Sequence, residues 1–157
     1  FLGGATPVRD TDAPAIEGEL VGTDCCTPAG GGKGVQLSFD VTVDDKKGVT
    51  PGSSSGVEKV KIEVPMPDAT GKRTLSAIPG CTYTLEKAEK EKSKSDPVKL
   101  RLSGCLPCTA LARDGNGAYV QVVFYAEDDA GNKRSRASVF RIDRTDCCPL
   151  PRTQRNG

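Results

Sequence analysis

The sequence predicts an all-β fold, a seven-stranded sandwich reinforced by disulfides, and three observations carry that prediction. Several runs alternate apolar with polar residues at the two-residue period of a half-buried strand. Eighteen Gly and eleven Pro, among frequent Val and Thr and few helix-periodic stretches, supply turns rather than helices. Seven Cys in 157 residues, two pairs of them vicinal, suit an oxidising compartment. The odd count leaves at least one sulfur free or bonded to another chain.

Taken in order, residues 1–13 (FLGGATPVRDTDA) read as an extended arm, residues 14–148 as the sandwich and residues 149–157 as a basic, Pro-containing tail. The first strand is expected at 16–21. After it, Cys25-Cys26-Thr27-Pro28 and the glycines between Gly30 and Gly34 form a flexible loop. Glycine-rich loops can cradle phosphate, but neither a strand-to-helix context nor the P-loop lysine spacing follows here, so the plain loop reading prevails. Residues 35–43 give the cleanest alternation, with Val35, Leu37, Phe39, Val41 and Val43 on one face. Residues 57–64 follow, with Val60, Ile62 and Val64 inward, and Pro65-Met66-Pro67 ends the run because proline cannot donate to a ladder. Residues 73–78 read as a short edge strand. Residues 81–87 are expected to pair with 98–102 across a charged tip, 86–97, whose composition allows a helical turn and whose Lys and Glu nearly cancel. The last two strands, 119–126 and 137–142, flank an acidic turn containing Gly and Asn and form a hairpin.

That closing hairpin carries the wording Ala126-Glu127-Asp128-Asp129-Ala130-Gly131-Asn132. It resembles the A-x-D-x-A-G-N motif in the final hairpin of the immunoglobulin-like repeats of bacterial and archaeal cell-surface proteins. Asp10 to Pro14 is similar to the linker that opens many such repeats, and residues 44–64 are similar to their second-to-third strand region. The resemblance implies a seven-stranded immunoglobulin-like sandwich, with strands at 16–21, 35–43, 57–64, 81–87, 98–102, 119–126 and 137–142. Alternating strand direction then gathers Cys25, Cys26, Cys81, Cys105, Cys108, Cys147 and Cys148 at one pole. Two bridges are expected: Cys81 with Cys105 or Cys108 across a hairpin, and Cys25 or Cys26 with Cys147 or Cys148, because first and last strands run parallel in such sandwiches. The inter-sheet disulfide of antibody domains is not expected, since its strands carry no Cys and its packing Trp is missing.

Composition narrows the chemistry. Basic and acidic residues balance at 22 against 21, so no strong field draws nucleic acid or an anionic membrane. His is absent, and with it the commonest general base and metal ligand; the expectation is that the chain is not an enzyme. No run of about eighteen apolar residues exists to span a membrane. The chain opens at Phe1 rather than Met, and removal of a secretory leader is the expected reason. Cys105-Leu106-Pro107-Cys108 has the spacing of thiol oxidoreductases and of a zinc half-site. The helix that would stabilise a reactive thiolate is missing, however, and adjacent cysteines chelate one metal poorly, so structural disulfides are the stronger reading. Asp128, Asp129 and Asn132 are oxygen ligands of the kind calcium takes, sharing a pole with Asp44, Asp45 and the N-terminal linker. Their alternative role as turn-forming residues outweighs it.

The functional expectation is therefore a secreted, extracellular or cell-surface structural protein, a self-assembling subunit of a filament, pilus or surface layer. Its partners are copies of itself or neighbouring surface subunits. The arm, with Phe1, Leu2, Val8 and Ile16, is expected to donate a strand to a neighbour. The rival is a monomeric immunoglobulin-like adhesion or carbohydrate-binding module, against which three Tyr and no Trp offer few surfaces for stacking sugars.

Overall fold

The computed structural model describes residues 12–45, 55–144 and 146–149. Most of the N-terminal arm, the loop after Asp45 and most of the tail lie outside them. The elements are β1 (Ala15–Cys26), β2 (Gly34–Asp44), β3 (Val57–Pro67), β4 (Arg73–Thr84), α1 (Lys87–Ser93), β5 (Val98–Pro107), a 3-10 turn (Cys108–Ala110), β6 (Ala112–Asp114), β7 (Gly117–Asp128) and β8 (Lys133–Ile142). They form two antiparallel sheets. One has the order β1-β2-β5; the other runs β4-β3-β7, with β8 on one side of β7 and the short β6 on the other, where β3 stops pairing.

The inward rows close one core between the sheets. Val35, Leu37, Phe39, Val41 and Val43 of β2 face Val60, Ile62 and Val64 of β3 and Val120, Val122 and Phe124 of β7, all essentially without solvent exposure. At the centre Phe39, Phe124 and Phe140 meet with ring centroids 5.7 to 6.2 Å apart, in edge and tilted contacts that add to area burial. Phe124 lies directly on β1: a Cβ on Gly18 would come within 2.3 Å of its ring, so only glycine fits there. Three of the four phenylalanines of this chain thus meet between the two sheets.

Every predicted strand segment is extended in the structure, but three expectations are corrected. The structure has eight strands rather than seven, because the turn Asp114–Gly117 folds Ala112–Asp114 back onto β7. Residues 73–78 do lie at a sheet edge, but 73–78 and 81–87 are not two separate strands. They fuse into β4, where Ile78-Pro79-Gly80-Cys81 bulges out between the pairs Glu63 with Ala77 and Lys61 with Thr82. Nor do 81–87 and 98–102 form a hairpin. β4 pairs with β3 and β5 pairs with β2, while α1 carries the chain from one sheet to the other. Pro and Gly in a strand mark a bulge as readily as an end, which is why the two readings diverge at Pro79.

β1 and β8 run side by side in the same direction at the margin of the sandwich. Arg134 Nε donates to the Pro14 carbonyl at 2.9 Å, Arg136 lies 3.8 Å from Glu17, and beyond β8 Arg144 Nη1 donates to the Thr23 carbonyl at 2.9 Å. This parallel course brings the end of β1 to the residues that follow β8.

Candidate functional site

β1, β5 and β8 all end at one pole of the sandwich, and six sulfurs lie there. Cys25 and Cys26 are neighbours on a pleated strand, so their side chains leave it in opposite directions. Each finds a different partner: Cys25 bonds Cys147, and Cys26 bonds Cys105. Cys148 bonds Cys108 in the 3-10 turn. The C-terminal segment is presented to these partners by a tight turn, in which Cys147 N and Cys148 N both donate to the Arg144 carbonyl at 3.2 and 3.0 Å. Three arginines complete the pole by donating to backbone oxygens. Arg73 reaches Ala110 O at 3.0 Å and Thr109 O at 3.3 Å, Arg113 reaches Cys148 O and Pro149 O at 3.4 Å, and Arg144 also pairs with Asp146 at 2.9 Å.

The expected bridge from Cys25 or Cys26 to Cys147 or Cys148 is thus present as Cys25–Cys147. The expected bridge from Cys81 to Cys105 or Cys108 is not. Cys81 is a free thiol buried in the core. Because β4 begins at Arg73, Cys81 sits well inside the strand rather than at its start. Its sulfur packs inward, 3.0 Å from where a Gly104 Cβ would stand, while Cys105 next along β5 turns outward to Cys26. Burial pushes the Cys81 thiol up to about 11, which keeps it protonated and unreactive at neutral pH.

Two chemical readings are answered by the pairing. Cys105 and Cys108 are not thiols and do not bond each other, so the C-x-x-C spacing forms no dithiol centre. Among the described residues one cluster, Cys25, Asp146 and Cys147, brings three ligand-type atoms together, but its two sulfurs are already oxidised to one another. No family model matches the chain, and neither does any curated protein or solved structure. Function must therefore be read from the geometry alone.

At the opposite pole the acidic residues bind the chain's own backbone. Asp128 Oδ1 accepts from Ala130 N at 3.0 Å and Asn132 N at 2.8 Å, and its Oδ2 accepts from Asn132 Nδ2 at 2.9 Å. The same turn recurs between β3 and β4. Asp68 Oδ1 accepts from Thr70 N at 2.8 Å and Lys72 N at 3.0 Å, and Gly71 takes the left-handed conformation, φ 86°, that Gly131 takes at 92°. A five-residue Asp-x-x-Gly-x turn used twice, once exposed and once buried, is a hairpin-closing device. Asp129 pairs with Lys90 at 3.2 Å. Asp45 Oδ2 accepts from Gly56 N at 2.9 Å, and Asp45 N donates to Ser93 O at 2.9 Å. Ser93, fully buried at the end of α1, accepts from Val57 N at 2.8 Å and donates to Lys90 O at 2.6 Å. The calcium candidates Asp128, Asp129 and Asn132 are thus engaged in turn and tip contacts, and Asp10 lies outside the described residues.

Sequence reasoning missed a depression beside the disulfide pole. Its volume is about 440 Å³; Leu111, Ala118, Ile142 and Cys148 form an apolar floor, and Arg113, Asn116 and Arg144 a polar rim. The signal was present in Asp114-Gly115-Asn116-Gly117, a hairpin turn composition that builds one wall.

Proposed function

We propose that this chain is a secreted, immunoglobulin-like structural module that assembles with copies of itself into an extracellular filament, pilus or surface layer. The observation that carries the reading is the disulfide pole. Three bridges tie β1, β5, the 3-10 turn and the C-terminal segment into one covalent knot, a use of cysteine suited to an oxidising exterior and to mechanical or proteolytic exposure. No helix among the described residues is long and apolar enough to cross a membrane. The seventh thiol is buried, so the assembly is non-covalent: subunits associate through surfaces, and the N-terminal arm donates a strand to the next copy. Repeated head to tail, a contact of that kind generates a fibre.

Sedimentation velocity of the oxidised chain, with and without residues 1–11, tests this directly. Concentration-dependent oligomers that vanish on deletion of the arm are expected; a monomer at every concentration in both forms overturns the proposal. The latter outcome would favour the rival, a monomeric adhesion or carbohydrate-binding module, which the 440 Å³ depression would suit.

A further inference from the structure

A sandwich has four sheet edges, and an unpaired edge is a row of backbone donors and acceptors open to another strand. Three of the four are obstructed here. β1 and β8 close against each other through Arg134, Arg136 and the Cys25–Cys147 bridge. β4 is broken in mid-strand by Pro79 and Gly80, and at its start Arg73 turns over to the 3-10 turn. β5 differs: it pairs with β2 without a break from Val98 to Pro107 and, among the described residues, has no ladder partner on its other side.

Part of that free edge is covered. The β4 bulge packs onto it, so that a Cβ on Gly80 would lie 2.9 Å from Ser103 O and one on Gly104 would lie 2.4 Å from Pro79 O. Below the bulge, Lys99, Leu100, Arg101 and Leu102 face an open groove of about 260 Å³ whose far wall is Tyr83 and Glu89. The Tyr83 hydroxyl donates to Glu89 at 2.5 Å, which fixes the start of α1 against that wall. Four consecutive residues of straight strand, flanked by a groove, remain open to pairing.

We propose that the β5 edge at Lys99–Leu102 receives the N-terminal arm of a second copy, which adds a fourth strand to the β1-β2-β5 sheet. The inference rests on the assembly reading and names its docking site. Two features select the occupant. Residues 1–11, fully extended, span roughly 36 Å, whereas four residues of edge need about 13 Å, so the arm has length to cross to a neighbour before it docks. Its middle, Gly3-Gly4-Ala5-Thr6, is small enough for a narrow groove.

The test places a photo-crosslinking residue at the exposed position 99 of the oxidised full chain and mixes isotopically light and heavy copies. Light-to-heavy crosslinks between position 99 and residues 1–11 are expected. A synthetic peptide of residues 1–13, added to the chain lacking residues 1–11 at ten times its Kd, should slow amide exchange across Lys99–Leu102 roughly tenfold, and a scrambled peptide should not. Crosslinks confined to single copies, or directed to another strand while arm-dependent oligomers persist, overturn this docking site and leave the assembly reading standing. Loss of both crosslinks and oligomers overturns the two together.

Discussion

At the disulfide pole, segments far apart in sequence are joined by covalent bonds that span 122, 79 and 40 residues. At the other pole, segments only 36 and 11 residues apart meet through single polar groups: Ser93 accepts from Val57 N, and Asp45 accepts from Gly56 N. Both ends must satisfy backbone groups that the strands leave behind. A covalent bridge stabilises the end it closes mainly by restricting the unfolded chain, whereas a buried hydroxyl or carboxylate acts only in the folded one. The first kind of end is insensitive to local opening; the second opens whenever its acceptors are lost.

The sharpest challenge to this contrast removes Cys25 and Cys147 together as serines. With Cys26–Cys105 and Cys108–Cys148 left in place, this bridge closes a ring of only about eight residues in the unfolded chain, worth about 2 to 3 kcal/mol in the chain-entropy model, and the shift in urea midpoint reads that loss. Ser93→Ala at the other pole leaves Val57 N buried without its acceptor and should cost about 1 to 3 kcal/mol by the same measurement. If the serine change cost more than the double cysteine change, the contrast between the poles would be reversed.

Alkali probes the core between them. Cys81 holds its proton up to about 11 when folded, against 9.0 when exposed, so stability is lost as pH rises from 9.0 towards 11. A Cys81→Ala variant should flatten that decline. The native protein should show no thiol reactive towards a disulfide reagent at neutral pH, and the denatured protein should show one. The smallest effect is expected at Asp114, which the Arg141 guanidinium holds down to about 2 from an ordinary 3.8. Its contribution is complete above 3.8 and disappears as pH falls towards 2, so Asp114→Asn should make the acid transition slightly shallower in a thermal melt series.

The strand positions were legible because alternation of Val, Leu, Phe and Ile is dictated by the pleat, and β2 and β3 start within a residue of where that pattern puts them. Which sheet a strand joins was not legible. The charged segment before β5 reads equally well as a hairpin tip or as a crossing between sheets, and only packing of α1 against both decides. The misreading of Cys81 has the same origin, since Pro79-Gly80 was taken as an end when it is a bulge. At the disulfide pole, the general direction of β1 towards Cys147 followed from the parallel course of the outer strands. The partition of Cys25 from Cys26 depends on which face of β1 each leaves, and a one-residue bulge at Val21 sets that. The arginines that close the pole had no signature, because their acceptors are backbone oxygens exposed only by the fold.

One consequence of the Cys25–Cys147 bridge concerns tension. A pull applied between Pro14 and Cys148 passes along β1 to Cys25 and crosses the sulfur bond directly to Cys147. The 122-residue span it closes, roughly 400 Å of contour if drawn straight, never bears the load. β1 is already extended, so it has almost no slack to give. Under oxidising conditions the module therefore behaves as a short, nearly inextensible link rather than a spring, and reduction alone would release its hidden length.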